Sequence, residues 1–359
     1  MFYEESKMSK KPIVSVVMPV YNGEKYLSEA IESILTQTFH QFEFIIIDDG
    51  SIDGTGSILL EYAKKDPRIK VICQKNQGIV SALNNGIANS QGKYIARMDA
   101  DDISLPRRFQ QQVNFLDRHP EIGVVGSAYL PIDEQNNQIM SPTYRPEYPL
   151  TVKWFMLIGS PVAHPSTMYR VNLARQVGGY DKHFTHAEDY EFWIRMAEIT
   201  DICSIKDVLI LYRVSNQDRI SIKYLPEQLL VTNKIRQIAY SCLFNAQMTP
   251  AISAAIQGSG GTFTNQNRYN ACFLLFKAFK SLSENARVLN EKEKQELEET
   301  ARENIFSIAS RITNTYYMVK IFFFPLLFSR NQYLRMMAIR LINWIKRKTK
   351  SLVQPNLVK

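Results

Sequence analysis

The sequence predicts an α/β fold. A mostly parallel sheet carries helices on both faces, in a Rossmann-like arrangement, and a mainly helical C-terminal region follows. Three observations predict it. Apolar, β-branched runs alternate with helix-period segments four times in the first hundred residues. Three of those runs end in polar clusters, at Tyr21–Asn22, Asp48 to Ser51 and Asp99 to Asp102. Beyond about Tyr224 the strand patterns stop.

"PIVSVVMPVYN" reads as a first buried strand ending near a proline. Leu27, Ala30, Ile31, Ile34 and Leu35 then share one helical face. "FEFIIIDDGS" is a second buried strand that stops in two acids, a glycine and a serine. Gly50 and Gly54 permit a tight turn, and Ser51 or Asp53 can cap the next helix, whose Ile58, Leu59 and Tyr62 face inward. "RIKVICQ" is a third strand, a helix runs through Ala82, Leu83 and Ile87, and "KYIARM" is the fourth strand. Such alternation means right-handed βαβ units, and ligands bind beyond the carboxyl ends of the strands. The three polar clusters should therefore meet in one crevice.

"HPEIGVVGSAYL" reads as a further turn and strand, and residues 131–149 as a loop or irregular hairpin. Within "VGGYDKHFTHAEDYEFWIRMAE", Glu188, Asp189 and Glu191 enter a helix running through Phe192, Trp193, Ile194 and Met196. Acids at a helix N-terminus are favoured by the dipole, so capping alone would account for them. "LILYRVSNQDRIS" is a strand leading into a basic loop.

With 359 residues, 45% hydrophobic and 22% charged, the composition is globular. Cys73, Cys203, Cys242 and Cys272 are far apart, which predicts free thiols rather than a zinc site or a disulfide framework. The N-terminal stretch lacks the apolar centre of a signal peptide, and no apolar run reaches the roughly 20 residues of a spanning helix. The expected location is cytoplasmic. The net charge is +8, and the eight Lys and Arg residues between Arg330 and Lys359, where no Asp or Glu occurs, account for it. The remainder is neutral overall, which argues against a nucleic-acid-binding face.

"IARMDADD" sets three carboxylates within four positions at a strand end, where like charges raise one another's pKa values. A hard divalent cation would compensate them while keeping positions open for phosphate oxygens. Together with "SVVMPVYNGEKYLSEAIESILTQTF", "IIIDDGSIDGT", "NQGIVSALNNGIANSQGKYIARMDADD", "HPEIGVVG" and "VGGYDKHFTHAEDYEFWIRMA", this stretch makes residues 12–221 resemble the inverting family-two glycosyltransferases of GT-A fold. The nearest subgroup builds bacterial capsule, exopolysaccharide or O-antigen repeats.

The resemblance implies roles. Asp99-Ala100-Asp101 matches the Asp-x-Asp signature. Asp101 would bind Mn²⁺ or Mg²⁺, Asp99 would share that site nearer the ribose, and Asp102 would support it. Pro19, Tyr21 and Asp49 would line a uridine pocket, with Asn76 and Gly78 beside the nucleotide or sugar. Asp189 would be the general base for the acceptor hydroxyl, oriented by Glu188. The family often has an Arg shortly after the equivalent of Gly78, where Leu83 stands here. It also often has a His where Ser215 stands, so Arg213 or Arg219 would supply charge to the diphosphate instead. Trp193 would serve an acceptor platform or the core, and His164 the substrate or the core. The implied partners are a nucleotide-sugar, expected to be a UDP-sugar, and a glycan or lipid-linked acceptor. Self-association stays open. The rival readings are a sugar nucleotidyltransferase, which usually has a glycine-rich basic loop where "PVYNGEKY" stands, and a non-catalytic binding protein on the same scaffold.

The expected divisions are an N-terminal tail (1–11), a catalytic domain (12–221), a helical region (222–315) and a basic amphipathic segment (316–359). In that last segment Leu334, Met337, Ala338, Leu341, Ile342 and Ile345 share a helical face. Arg335, Arg340, Lys346 and Arg347 lie largely off it, and Trp344 accompanies them. Such a helix lies on an anionic membrane surface or packs against protein.

Overall fold

A computed structural model describes residues 11–214, 225–258, 263–285, 290–314, 317 and 321. Two compact units divide at Gln247/Met248.

The first unit is built on one eight-stranded sheet in the order β3-β2-β1-β4-β7-β6-β8-β5. Its strands are β1 (Val14–Val20), β2 (Phe42–Asp48), β3 (Ile69–Cys73), β4 (Tyr94–Arg97), β5 (Ile103–Ser104), β6 (Ile122–Ile132), β7 (Met168–Arg170) and β8 (Asp201–Arg213). Strands β3, β2, β1 and β4 are mutually parallel, the outcome of the βαβ pattern. Strand β7 inserts antiparallel between β4 and β6, and β8 runs parallel to β6. The sheet is mixed because β7 runs antiparallel to both its neighbours and β5 antiparallel to β8.

Helices α1 (Leu27–Leu35), α2 (Thr55–Lys65) and α3 (Ile79–Asn89) connect the first four strands, and α4 (Arg108–Arg118) follows β5. Because strand side chains alternate, β1 and β2 are buried on both faces. Val16, Met18, Phe44 and Ile46 join one cluster with Leu27, Ile31, Leu59, Phe109 and Leu116 from α1, α2 and α4. Ile45 and Ile47 face the other way, onto Ala82 of α3. There Gly86 lets α3 approach closely, since a Cβ would lie 2.3 Å from Val17. The layers are helix, sheet, helix, with the core on both faces.

Further along are α5 (Pro149–Phe155), α6 (Val171–Gln176), α7 (Glu188–Ile199) and α8 (Leu225–Phe244). Residues 131–149 form the irregular hairpin, with bridges Tyr129–Thr143 and Ile132–Gln138. Helix α8 packs against α7 within this unit. In the second unit α9 (Pro250–Gln257), α10 (Asn265–Asn285) and α11 (Glu291–Ala309) bury Ile256, Leu275, Leu297 and Ile305. Asn290 and Glu293 cap α11 reciprocally. No helix among the described residues is long and apolar enough to cross a membrane. Ser215, Arg219 and the amphipathic stretch 333–345 lie outside the described residues.

Candidate active site

The carboxyl ends of β1, β2 and β4 lie side by side, so their three polar clusters share one edge of the sheet. Asn22, in the left-handed region at φ 52°, ties the first two together. Its N–H donates to Ser51 Oγ at 2.9 Å, and its Oδ1 accepts from Ile52 N–H at 2.9 Å. Tyr21 leaves its ring half exposed at this edge, and Pro19 is partly buried in β1. Asp49 is buried and clasps the next loop. Its Oδ1 accepts from Gln74 Nε2 (2.7 Å) and Gln77 N–H (2.9 Å), and its Oδ2 from Gly78 N–H (2.8 Å). Oδ2 therefore retains acceptor capacity for another donor. Gly50, at φ 77°, is needed where this loop crosses it, since a Cβ would lie 2.8 Å from Asn76 N. Asn76 and Gly78 remain exposed on the loop.

The acid turn follows β4. One carboxylate oxygen from each of Asp99, Asp101 and Asp102 lies within 4.8 Å of the others. Asp102 is buried. Its Oδ1 accepts from Arg213 N–H at 2.8 Å, and its Oδ2 has no partner among the described residues. Desolvation and the charges of Asp101 and Asp99 hold the Asp102 carboxyl well above its usual range. Asp101 keeps an open edge to solvent, yet desolvation in its recess and the Asp99 charge push it up to about 6. Such a set of crowded carboxylate oxygens suits a hard divalent ion, which would supply the missing positive charge and favour their ionised form.

Sequence reasoning missed Arg97. It is buried, its Nη1 forms an ion pair with Asp99, and its Nε finds no acceptor among the described residues. Beneath it lies Arg108, also buried, donating to the carbonyls of Arg97 (2.7 Å) and Thr167 (3.0 Å). The available signal was an arginine inside the apolar run "YIARM", two positions before Asp99.

Arg213 requires a correction. The expected diphosphate contact is not what its surroundings provide, because its side chain is only 1% exposed and its nitrogens are engaged by protein. Nε donates to Asp101 O, Nη1 to Asp133 O and Nη2 to Glu29, while the guanidinium lies 4.3 Å from the Tyr26 ring centre. It fixes the acid turn from behind, joining β8, α1 and the hairpin.

Glu188 and Asp189 open helix α7. Asp189 Oδ2 accepts from Ser160 Oγ at 3.0 Å, a partner 29 residues away with no sequence signal. Glu188 Oε2 is buried without a partner among the described residues. Desolvation and the Asp189 charge push Glu188 up to about 7. Desolvation also raises Asp189, opposed by the Ser160 bond and by the charges of Arg97 and Arg145. Arg97 acts on both Glu188 and Asp189, as it does on Asp101 and Asp102, so one buried cation serves both acidic groups. Trp193 and His164 are core residues. Trp193 packs on His164 and Tyr169, and His164 Nε2 lies 2.8 Å from Tyr180 Oη.

A half-parallel sheet with an acid turn beyond β4 and a second acid pair on α7 defines the GT-A class of glycosyltransferase. The chain belongs to glycosyltransferase family 2. The family model described as "Glycosyl transferase family 2" matches residues 15–178. An uncharacterized glycosyltransferase of Haemophilus influenzae is 35% identical over 64% of this chain and 74% of its own length. Putative glycosyltransferase EpsE of Bacillus subtilis is 38% identical over 53% and 69%. Amylovoran biosynthesis glycosyltransferase AmsE of Erwinia amylovora is 29% identical over 56% and 76%. In fold the chain is similar to S. aureus TarS 1-349 in complex with UDP-GlcNAc. The TM-score is 0.54 at 18% identity, covering 96% of this chain and 94% of that one. It is also similar to mannosyltransferase PcManGT of Pyrobaculum calidifontis in complex with GDP-Man and Mn²⁺. There the TM-score is 0.51 at 16% identity, covering 92% and 87%.

Proposed function

We propose that this glycosyltransferase is metal-dependent and inverting, and that it moves a sugar from a UDP-sugar to a hydroxyl of a glycan or lipid-linked acceptor in bacterial surface-polysaccharide synthesis. The observation that carries the reading is that two carboxylate clusters share the buried Arg97, which pairs with Asp99 and whose charge also acts on Asp101, Asp102, Glu188 and Asp189. Inversion by single displacement needs an acid-rich seat for the leaving diphosphate and a separate base for the incoming hydroxyl. TarS and PcManGT, in complexes with UDP-GlcNAc and with GDP-Man and Mn²⁺, support a nucleotide-sugar donor and a divalent ion. AmsE supports a place in polysaccharide synthesis.

In this reading Asp99 and Asp101 hold Mn²⁺ or Mg²⁺, with Asp102 and Arg213 fixing the turn. A bound divalent ion supplies Lewis-acid stabilisation of the leaving diphosphate. Pro19, Tyr21 and Asp49 border the uracil, Asp49 through the free capacity of Oδ2. Asn76 and Gly78 edge the donor pocket. Asp189 takes the proton of the acceptor hydroxyl, held in place by Ser160, and Glu188 sets its charge. The base must be ionised, so activity rises with pH through the titration of this pair. The test is a panel of UDP- and GDP-sugars, assayed for hydrolysis or transfer with and without Mn²⁺, the product anomer being read by NMR. A β-linked product from an α-linked donor supports inversion. No turnover of any nucleotide-sugar, with no UDP binding, would leave the non-catalytic binding protein as the better reading.

The apolar stripe Leu334 to Ile345 with its basic neighbours supports a peripheral seat on the inner face of an anionic membrane, where each cation near the surface contributes about 1 kcal/mol. Sedimentation with anionic vesicles, comparing the full chain with one ending at Asn314, tests this. Equal recovery of both in the supernatant at low salt would place the helix in a protein interface.

A further inference from the structure

Among the described residues, four arginines lie around the two acidic groups, and three are already engaged. Arg97 faces Asp99, Arg108 donates to backbone carbonyls, and Arg213 is clasped by four groups. Arg145 differs. Its guanidinium carbon lies 6.0 Å from the centre of the Tyr129 ring and 5.8 Å from that of Phe155. Its Nε is buried, and its side chain forms no hydrogen bond or ion pair among the described residues. The position is built rather than accidental. Tyr129 and Thr143 exchange both backbone hydrogen bonds, which fixes the return arm of the hairpin two residues before Arg145. The chain then runs through α5 to Ser160, the residue that donates to Asp189. One segment thus carries both the support of the candidate base and a cation near it, whose charge favours the Asp189 carboxylate.

A planar guanidinium with aromatic rings beside it and unused donors is pre-organised to hold two oxygens of one oxyanion, such as a phosphate. We propose that Arg145 binds a phosphate group of a substrate in this cleft. The proposal rests on the glycosyltransferase reading above. Two sources share the chemistry: the donor's diphosphate, or a phosphate borne by the acceptor. Leu83 offers no cation to either, Arg213 is engaged by protein, and Arg219 lies outside the described residues.

The full chain and Arg145→Gln are compared by calorimetry in Mn²⁺ for three probes: UDP, uridine, and methyl phosphate added to the UDP-loaded protein. A donor site predicts that UDP affinity falls about tenfold in the variant while uridine affinity is unchanged, the loss expected for one charge-assisted contact. An acceptor site predicts unchanged UDP affinity and loss of methyl phosphate binding. Equal affinities of both proteins for UDP and methyl phosphate would overturn the proposal and leave Arg145 a hairpin residue. If the wild-type chain binds no UDP, the broader reading fails instead. Arg145→Met keeps the stem beside both rings, so it carries the same comparison if the Gln variant does not fold.

Discussion

Arg97 and Asp99 stand two residues apart at the end of β4 and form an ion pair closed to water on the arginine side, where only 3% of the side chain is exposed against 28% for Asp99. Arg97 is the last residue of the strand, and Asp99 lies just beyond it at the start of the acid turn. The arginine thus serves as an internal counter-ion beneath a turn whose open side faces the cleft. Its burial costs desolvation, and the surrounding carboxylates offset that cost.

Replacing Arg97 by Met should therefore destabilise the fold. Removing one partner of a buried pair typically costs about 3–5 kcal/mol, and the partial exposure of Asp99 puts this case at about 2–3. Urea denaturation at pH 7.5 without metal is the measurement. An unchanged midpoint would show that the carboxylates do not depend on Arg97.

Asp101→Ala should abolish Mn²⁺-dependent transfer, by a hundredfold or more if the leaving group loses several kcal/mol of stabilisation. UDP should bind the variant equally with and without Mn²⁺. Retained metal dependence would move the ion away from this turn.

Asp189→Asn should keep UDP affinity and lower turnover by about a hundredfold or more, the usual cost of losing a general base. Ser160→Ala should act more mildly. It removes a hydrogen bond to the ionised form, so the Asp189 pKa rises further and the acid limb of the pH–rate profile moves to higher pH. Equal loss of UDP affinity in the Asn variant would make Asp189 a donor ligand instead.

Glu188→Gln should stabilise the metal-free protein at pH 8. A carboxyl raised to about 7 in the folded chain is ionised at a cost above that pH, and the cost is relieved as pH falls through it. The amide lacks this penalty, so the gain should be about 1–3 kcal/mol at pH 8, shrink as pH falls from about 7 toward 4.5, and vanish near pH 4. Thermal melts at the two pH values decide it. A variant less stable at both would show that Glu188 is held by an attraction rather than strained by a repulsion.

The sequence by itself determined the four-strand parallel half of the sheet, because β1 and β2 carry apolar runs buried on both faces and α1 carries a periodic stripe. It also determined which strand ends bear acids, since Asp48, Asp49 and Asp99 to Asp102 directly follow those runs. Periodicity is local, so it survives in one dimension. Tertiary structure decided which side chains meet. Ser160 reaches Asp189 across 29 positions, and Arg213 reaches Glu29 across 184. Arg213 looked from the sequence like a free cation near a phosphate site, whereas packing of β8 against α1 and the hairpin encloses it. Arg145 lay in a stretch without periodicity, and only the rings of Tyr129 and Phe155, brought from β6 and α5, show that its charge is held in place. A side chain's charge is legible in the sequence; whether its donors are already taken depends on contacts between distant segments, which only packing of the folded chain creates.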